Sequence, residues 1–184
     1  IGDLFKVLKL SPNQWTLLSV ICGLIGFLFL IYKNLYAIVF FLLAGFIDVI
    51  DGAVARATSR STKIGAYLDT VSDRVVEFLI ILGLLFYQYP KIFLPSMAWL
   101  FLLLFGSTMT TYVKAAAFEK RLIKKELRGG ILERGERLIL LYLIIVITPF
   151  SPTYAMYIII LTAILSLISF LQRFFIAVRS SSYN

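Results

Sequence analysis

Four aspartates stand in two pairs within residues 48–73, DVIDGAVARATSRSTKIGAYLDTVSD. Asp48 and Asp51 are three residues apart, Asp69 and Asp73 four. On a helix either spacing puts both side chains on one face. A short loop between the two segments makes them antiparallel neighbours, so the four carboxylates can converge. Like charges that close protonate in part unless cations compensate. Hard divalent ions with oxygen ligands, Mg²⁺ or Mn²⁺, meet that need. Four carboxylates suit two such ions about 4 Å apart, an arrangement used for displacement at phosphorus. Gly52 follows Asp51 inside a helical stretch, where glycine costs about 1 kcal/mol relative to alanine. Close approach by a substrate or a neighbouring backbone accounts for it. Arg56, one turn further, can neutralise a phosphate. The competing interpretation is inert pairing of the aspartates with Arg56, Arg60 and Arg74, which two regular helical spacings match poorly.

The surroundings make these carboxylates unusual. The chain has 184 residues, 60% hydrophobic and 15% charged, with a mean hydropathy of +0.93. Soluble domains contain roughly 45–50% apolar residues, so this composition is that of a polytopic membrane protein in a single domain, 1–184. Carboxylates at membrane depth are costly, and such residues are functional candidates. The sequence contains no histidine, which excludes the usual zinc sites and His-dependent nucleophiles. Cys22 is alone, so there is no disulfide framework. The net charge of +8 sits in loops between apolar stretches, which fits topology and anionic lipid rather than nucleic acid. No secretory signal is evident, and the start at Ile1 rather than Met suggests part of a longer chain.

The elements that must position the aspartates follow from hydropathy and breakers. Residues 2–10, GDLFKVLKL, carry one apolar face and are too short to span, so they read as an interfacial helix. Ser11 can cap the next helix, with Pro12 at its first position. Six transmembrane helices are expected over about 14–32, 35–57, 64–87, 92–117, 131–147 and 153–178, an all-α integral membrane protein. Of the 18 Lys and Arg residues, only Lys33 and Lys91 fall on one side. The other side is cytoplasmic by the positive-inside rule, with both termini inside and the aspartates near that face of the plasma membrane.

The pattern Asp48-x2-Asp51-Gly52-x2-Ala55-Arg56-x8-Gly65-x3-Asp69-x3-Asp73 resembles the signature of the CDP-alcohol phosphotransferases at all eight fixed positions. The six-span layout extends the resemblance over nearly the whole chain. It implies displacement of CMP from a CDP-linked donor by an alcohol. It implies that Asp48, Asp51 and Asp69 hold one metal, that Asp69 and Asp73 hold the second, and that Asp73 is the general base. Gly52 and Arg56 would contact the CDP moiety, with Thr62 helping to hold it. Pro12-Asn13-x2-Thr16 resembles the family's start of the first span, near the nucleotide. A homodimer through membrane helices is implied as well.

Four further cations, on three spans, bear on the acceptor. Lys114 lies late in the fourth span, Arg134 and Arg137 early in the fifth, and Arg173 inside the sixth. An Arg/Lys cluster suits a phosphate. The YVKA and ERxERL elements resemble those of phosphatidylinositol-phosphate and archaetidylinositol-phosphate synthases. That implies inositol 1-phosphate as acceptor, bound by Lys114, Arg134 and Arg173, and a CDP-linked lipid (CDP-diacylglycerol or CDP-archaeol) as donor. Gly135 and Ala116 depart from the bacterial pattern and lean toward the archaeal one. The alternatives are glycerol 3-phosphate or serine as acceptor, CDP-inositol as donor, and, from another class, a cation-coupled transporter. The last requires broken helices and a pathway to both faces, whereas the outer half of each span is plainly apolar.

Overall fold

The structure, a computed structural model, describes residues 11–57, 62–123 and 130–181, with side chains left out at Pro12, residues 51–57 and Ser181. The expected interfacial helix at 2–10 lies outside the described residues. Among those described, regular structure is helical apart from one isolated bridge between Ile92 and Leu94. Contacts divide the chain after Tyr87 into two compact units.

In the first unit, Ser11 opens α1 (Pro12–Ile31). The Gln14 amide donates to Ser11 Oγ at 3.4 Å, and the Ser11 amide donates to Gln14 Oε1 at 2.8 Å. This capping box satisfies helix-end amides, and Pro12 at the first position needs no partner for the amide it lacks. Lys33, at φ +58°, and Asn34, whose Oδ1 accepts from the Tyr36 amide at 2.9 Å, turn the chain into α2 (Ala37–Ala57). Thr62 caps α3 (Lys63–Leu84), its Oγ1 accepting from the Gly65 amide at 2.9 Å.

Helix α1 packs along both α2 and α3, whereas α2 and α3 meet over little of their length. Small residues make those packings close. A Cβ at Gly83 would fall 2.5 Å from Leu30 Cδ2, and one at Gly26 would fall 3.2 Å from the Phe41 ring. Without a strong hydrophobic drive between helices in lipid, such close backbone approach supplies much of the packing energy. At the end nearest the aspartates, Trp15, Ile47 and Ile50 form a buried cluster with Leu18 and Cys22 against it.

The second unit begins with a tight turn at 92–94, where Trp99 Nε1 donates to the Ile92 carbonyl at 3.0 Å. Helix α4 (Ser96–Glu119) therefore starts at Ser96, later than the apolar run beginning at Ile92. It ends with Arg121 at φ +56°. The Leu122 amide bonds back to the Ala117 carbonyl at 2.9 Å, a helix-ending turn that folds the following apolar residues back. Ile123 is thereby buried with Ala117 and Ala177. Helix α5 (Arg134–Ile147) begins at Arg134 rather than at 131, because the Glu133 amide donates to Glu136 Oε2 at 2.8 Å and fixes the boundary there. Helix α6 (Pro152–Ser181) packs most extensively on α4 and less on α5. At the α4–α6 crossing, a Cβ on Gly106 would sit 2.9 Å from the backbone at Ser166 and Leu167.

Among the described residues, three helices, Asn13–Ile31, Ser96–Glu119 and Pro152–Ser180, are long and apolar enough to cross a membrane. Large apolar side chains such as Leu17, Phe46, Phe101 and Phe175 are exposed along these and the other helices. Water does not favour so much exposed apolar surface, and this surface gives the chain membrane-protein character. Helix α3 holds five charged residues before Phe78, and α5 spans only 14 residues.

Candidate metal centre and substrate-binding residues

Asp48 lies late in α2, and Asp69 and Asp73 lie on one face of α3. Each offers a carboxylate oxygen, and the three oxygens all lie within 4.8 Å of one another. The sparse contact between α2 and α3 thus includes the place where their acidic faces meet. Asp73 sits deepest, 9% exposed. Three acidic oxygens this close form a donor set for a hard divalent cation. The Asp51, Gly52 and Arg56 side-chain positions lie outside the described residues, although their backbone continues α2.

Two of the residues expected at a nucleotide, Asn13 and Thr62, lie beside Gly65. A Cβ there would lie 3.2 Å from Thr62 Oγ1 and 3.4 Å from Asn13 Oδ1. The start of α1 and the cap of α3 therefore bring two polar oxygens to one point, and glycine leaves it open. Thr16, one turn after Asn13, is buried, and its carbonyl accepts from Ser19 Oγ at 2.8 Å. Pro12 is the first residue of α1.

All three expected acceptor-side cations belong to the second unit. Arg173, on α6, donates from Nη1 to the Thr110 carbonyl on α4 at 3.2 Å. Lys114 is one turn beyond Thr110 on α4, so both lie on the same helical face. Arg134 opens α5. Gly130 lies beside Arg173, since a Cβ there would be 3.7 Å from Arg173 Nε. Arg137 is also on α5 and almost wholly buried, 2% exposed.

The sequence profile of the CDP-alcohol phosphatidyltransferases matches residues 9–177. The chain belongs to that family. Among CDP-alcohol phosphatidyltransferases and related proteins, it is 32% identical over 182 residues to the archaetidylinositol phosphate synthase of Pyrococcus horikoshii, covering 94% of this chain and 86% of that one. It is 34% identical over 142 residues to the bifunctional IPC transferase and DIPP synthase of Aquifex aeolicus, covering 74% of this chain. The match spans only 33% of that Aquifex protein's length. Crystal structures of the Mycobacterium tuberculosis phosphatidylinositol phosphate synthase PgsA1 share its fold at 26% sequence identity. The one with CDP-DAG bound gives a TM-score of 0.83, covering 96% of this chain and 90% of that chain. The one in complex with manganese and citrate gives 0.84, covering 96% and 86%.

Within this family member, contacts in each unit involve residues that spacing alone did not single out. Glu77 is 2% exposed and pairs with Arg74 at 2.6 Å. Its signal was present, because Glu77 continues the Asp69–Asp73 series by another four residues along α3. Thr110, Ser169 and Gln172 act through a backbone carbonyl or on backbone amides, and no sequence spacing announces such partners.

Proposed function

We propose that the chain transfers the phosphatidyl-type group of a CDP-linked lipid, CDP-diacylglycerol or CDP-archaeol, to the hydroxyl of inositol 1-phosphate, releasing CMP. The observation that carries this reading is the convergence of Asp48, Asp69 and Asp73 within 4.8 Å, on two helices of an otherwise apolar chain. Family membership supports the reaction type. The relatives named for archaetidylinositol phosphate and phosphatidylinositol phosphate synthesis support the acceptor. The CDP-DAG bound to PgsA1 supports a lipid-linked donor, and the manganese supports a divalent ion.

Asp48, Asp69 and Asp73 fit a hard divalent ion, since carboxylates are the oxygen ligands such ions take, and with Asp51 the set would serve two. Asp48, Asp51 and Asp69 would hold one, and Asp69 and Asp73 the other. Bound there, Mg²⁺ or Mn²⁺ supplies positive charge to the pyrophosphate and the departing CMP. Asn13, Thr16, Gly52, Arg56 and Thr62, with Pro12 setting the start of α1, hold the CDP moiety. Asp73 orients the acceptor hydroxyl and takes its proton as the new O–P bond forms and the P–O bond to CMP breaks. Lys114, Arg134 and Arg173 bind the acceptor phosphate, the two arginines through paired donors.

The same reading takes the six helices as six membrane crossings of one domain, in the plasma membrane, with both termini and the site on the cytoplasmic side. The pairing of chains into a homodimer rests on the family resemblance, and light scattering of the detergent-solubilised protein tests it. The reaction itself is tested by CMP release from CDP-diacylglycerol and CDP-archaeol with Mg²⁺ or Mn²⁺, comparing inositol 1-phosphate, glycerol 3-phosphate and serine. Release that depends on inositol 1-phosphate supports the reading. Release of no CMP with any acceptor overturns it, and preference for another acceptor overturns the inositol assignment alone.

A further inference from the structure

The segment entering α5 runs along α6 with its amides held by side chains. The Leu132 amide donates to Ser169 Oγ at 2.9 Å, and the Ile131 amide donates to Gln172 Oε1 at 3.0 Å. Ser169 is fully buried at this contact. Backbone amides that precede a helix have no partner within it, so these two oxygens fix the path of residues 130–132. Gly130 turns the chain into this path through its backbone conformation. Its φ of +145° is a backbone state that side-chain-bearing residues rarely adopt. A Cβ there would lie 3.6 Å from Ser169 Cβ and 3.7 Å from Arg173 Nε. Gln172 directly precedes Arg173 in α6, and Ser169 is one turn before it. The two amides they hold lie just ahead of the Glu133–Glu136 cap and of Arg134 at the start of α5.

We propose that Ser169 and Gln172 are positioning residues that clamp the Ile131 and Leu132 amides onto α6, and so set the start of α5, with Arg134, in register with Arg173 for a phosphate-bearing acceptor. Neither side chain needs to touch the substrate. The clamp acts through the backbone, and its effect is confined to the residues that carry the anion. This rests on the proposed acceptor reading for Arg134 and Arg173.

The test is steady-state CMP release by the full chain in lipid nanodiscs, using the most active acceptor of the panel above. Gln172→Met keeps length and removes the oxygen acceptor. Ser169→Ala removes the hydroxyl, and Ser169→Thr restores it. The loss of one such bond is expected to raise the acceptor KM about three- to tenfold, with kcat and donor KM within about twofold of the parent and Ser169→Thr close to it. Because Gln172 works through Arg134, Gln172→Met is expected to add less than about twofold to acceptor KM in an Arg134→Ala background. An unchanged acceptor KM, an equal rise in donor KM, or a full-sized effect over Arg134→Ala overturns the clamp. Failure of the underlying reading looks different: the unsubstituted chain then releases no CMP, or Arg134→Ala leaves acceptor KM unchanged, and the role proposed for the clamp goes with it.

Discussion

The carboxylates of Asp48 on α2 and Asp73 on α3 approach within 4.8 Å although the two helices share little other contact. Their separate origins allow separate roles. Asp73→Asn keeps the size of the side chain and removes its capacity to take a proton. We expect CMP release to fall about 10²- to 10⁴-fold. A variant retaining more than a tenth of the parent rate contradicts a proton-accepting or hydroxyl-orienting role for Asp73.

Gly65 separates Thr62 Oγ1 from Asn13 Oδ1. Gly65→Ala places a methyl 3.2 Å from Thr62 Oγ1, which must give by a few tenths of an ångström, and brings it into contact with Asn13 Oδ1 at 3.4 Å. If this corner holds the nucleotide, donor KM rises several-fold and acceptor KM stays constant. Kinetics with the two substrates varied independently give the answer.

Arg173 donates from Nη1 to the Thr110 carbonyl, which ties the head of its guanidinium to α4. Arg173→Ala is expected to raise acceptor KM about tenfold or more, since a hydrogen bond to a charged group contributes about 1.5–3 kcal/mol. Arg173→Lys keeps the charge, loses the planar fork, and is expected to recover only part of the affinity. A variant with unchanged acceptor KM removes Arg173 from the acceptor site.

Gly106 lets α4 and α6 touch through their backbones. A Cβ there meets backbone atoms at 2.9 Å, which no side-chain rotation relieves. Gly106→Ala is therefore expected to lower the melting temperature in detergent by several degrees, corresponding to about 1–3 kcal/mol of overpacking, without altering metal binding by the first unit.

Much of this was legible in the sequence. Apolar runs located six helices, and the Asp69–Asp73 spacing identified the acidic face of α3 that Asp48 of α2 meets. Ser11 and Pro12 marked the start of α1 through a cap that needs only local residues. Other features depended on partners distant in sequence. Asn13 comes beside Gly65 only because α1 packs against α3, and Gly130 owes its glycine to a φ of +145° that no sequence spacing announces. Hydropathy did not place the starts of α4 and α5, because a side chain-to-backbone bond from Trp99 and a cap at Glu133 set them. Arg137 read as a candidate inward cation, and the structure buries it almost completely. Spacing shows which face a residue shares, whereas burial depends on what packs against that face.

Asp69 is the residue proposed to touch both ions, so titrating Mn²⁺ into the purified chain and into Asp69→Asn, followed by electron paramagnetic resonance, addresses the two-metal centre directly. The expected result is two Mn²⁺ per parent chain, and loss of both tight binding and CMP release in Asp69→Asn. Parent chains that bind no Mn²⁺, or an Asp69→Asn variant that still binds two ions and releases CMP at the parent rate, would contradict it.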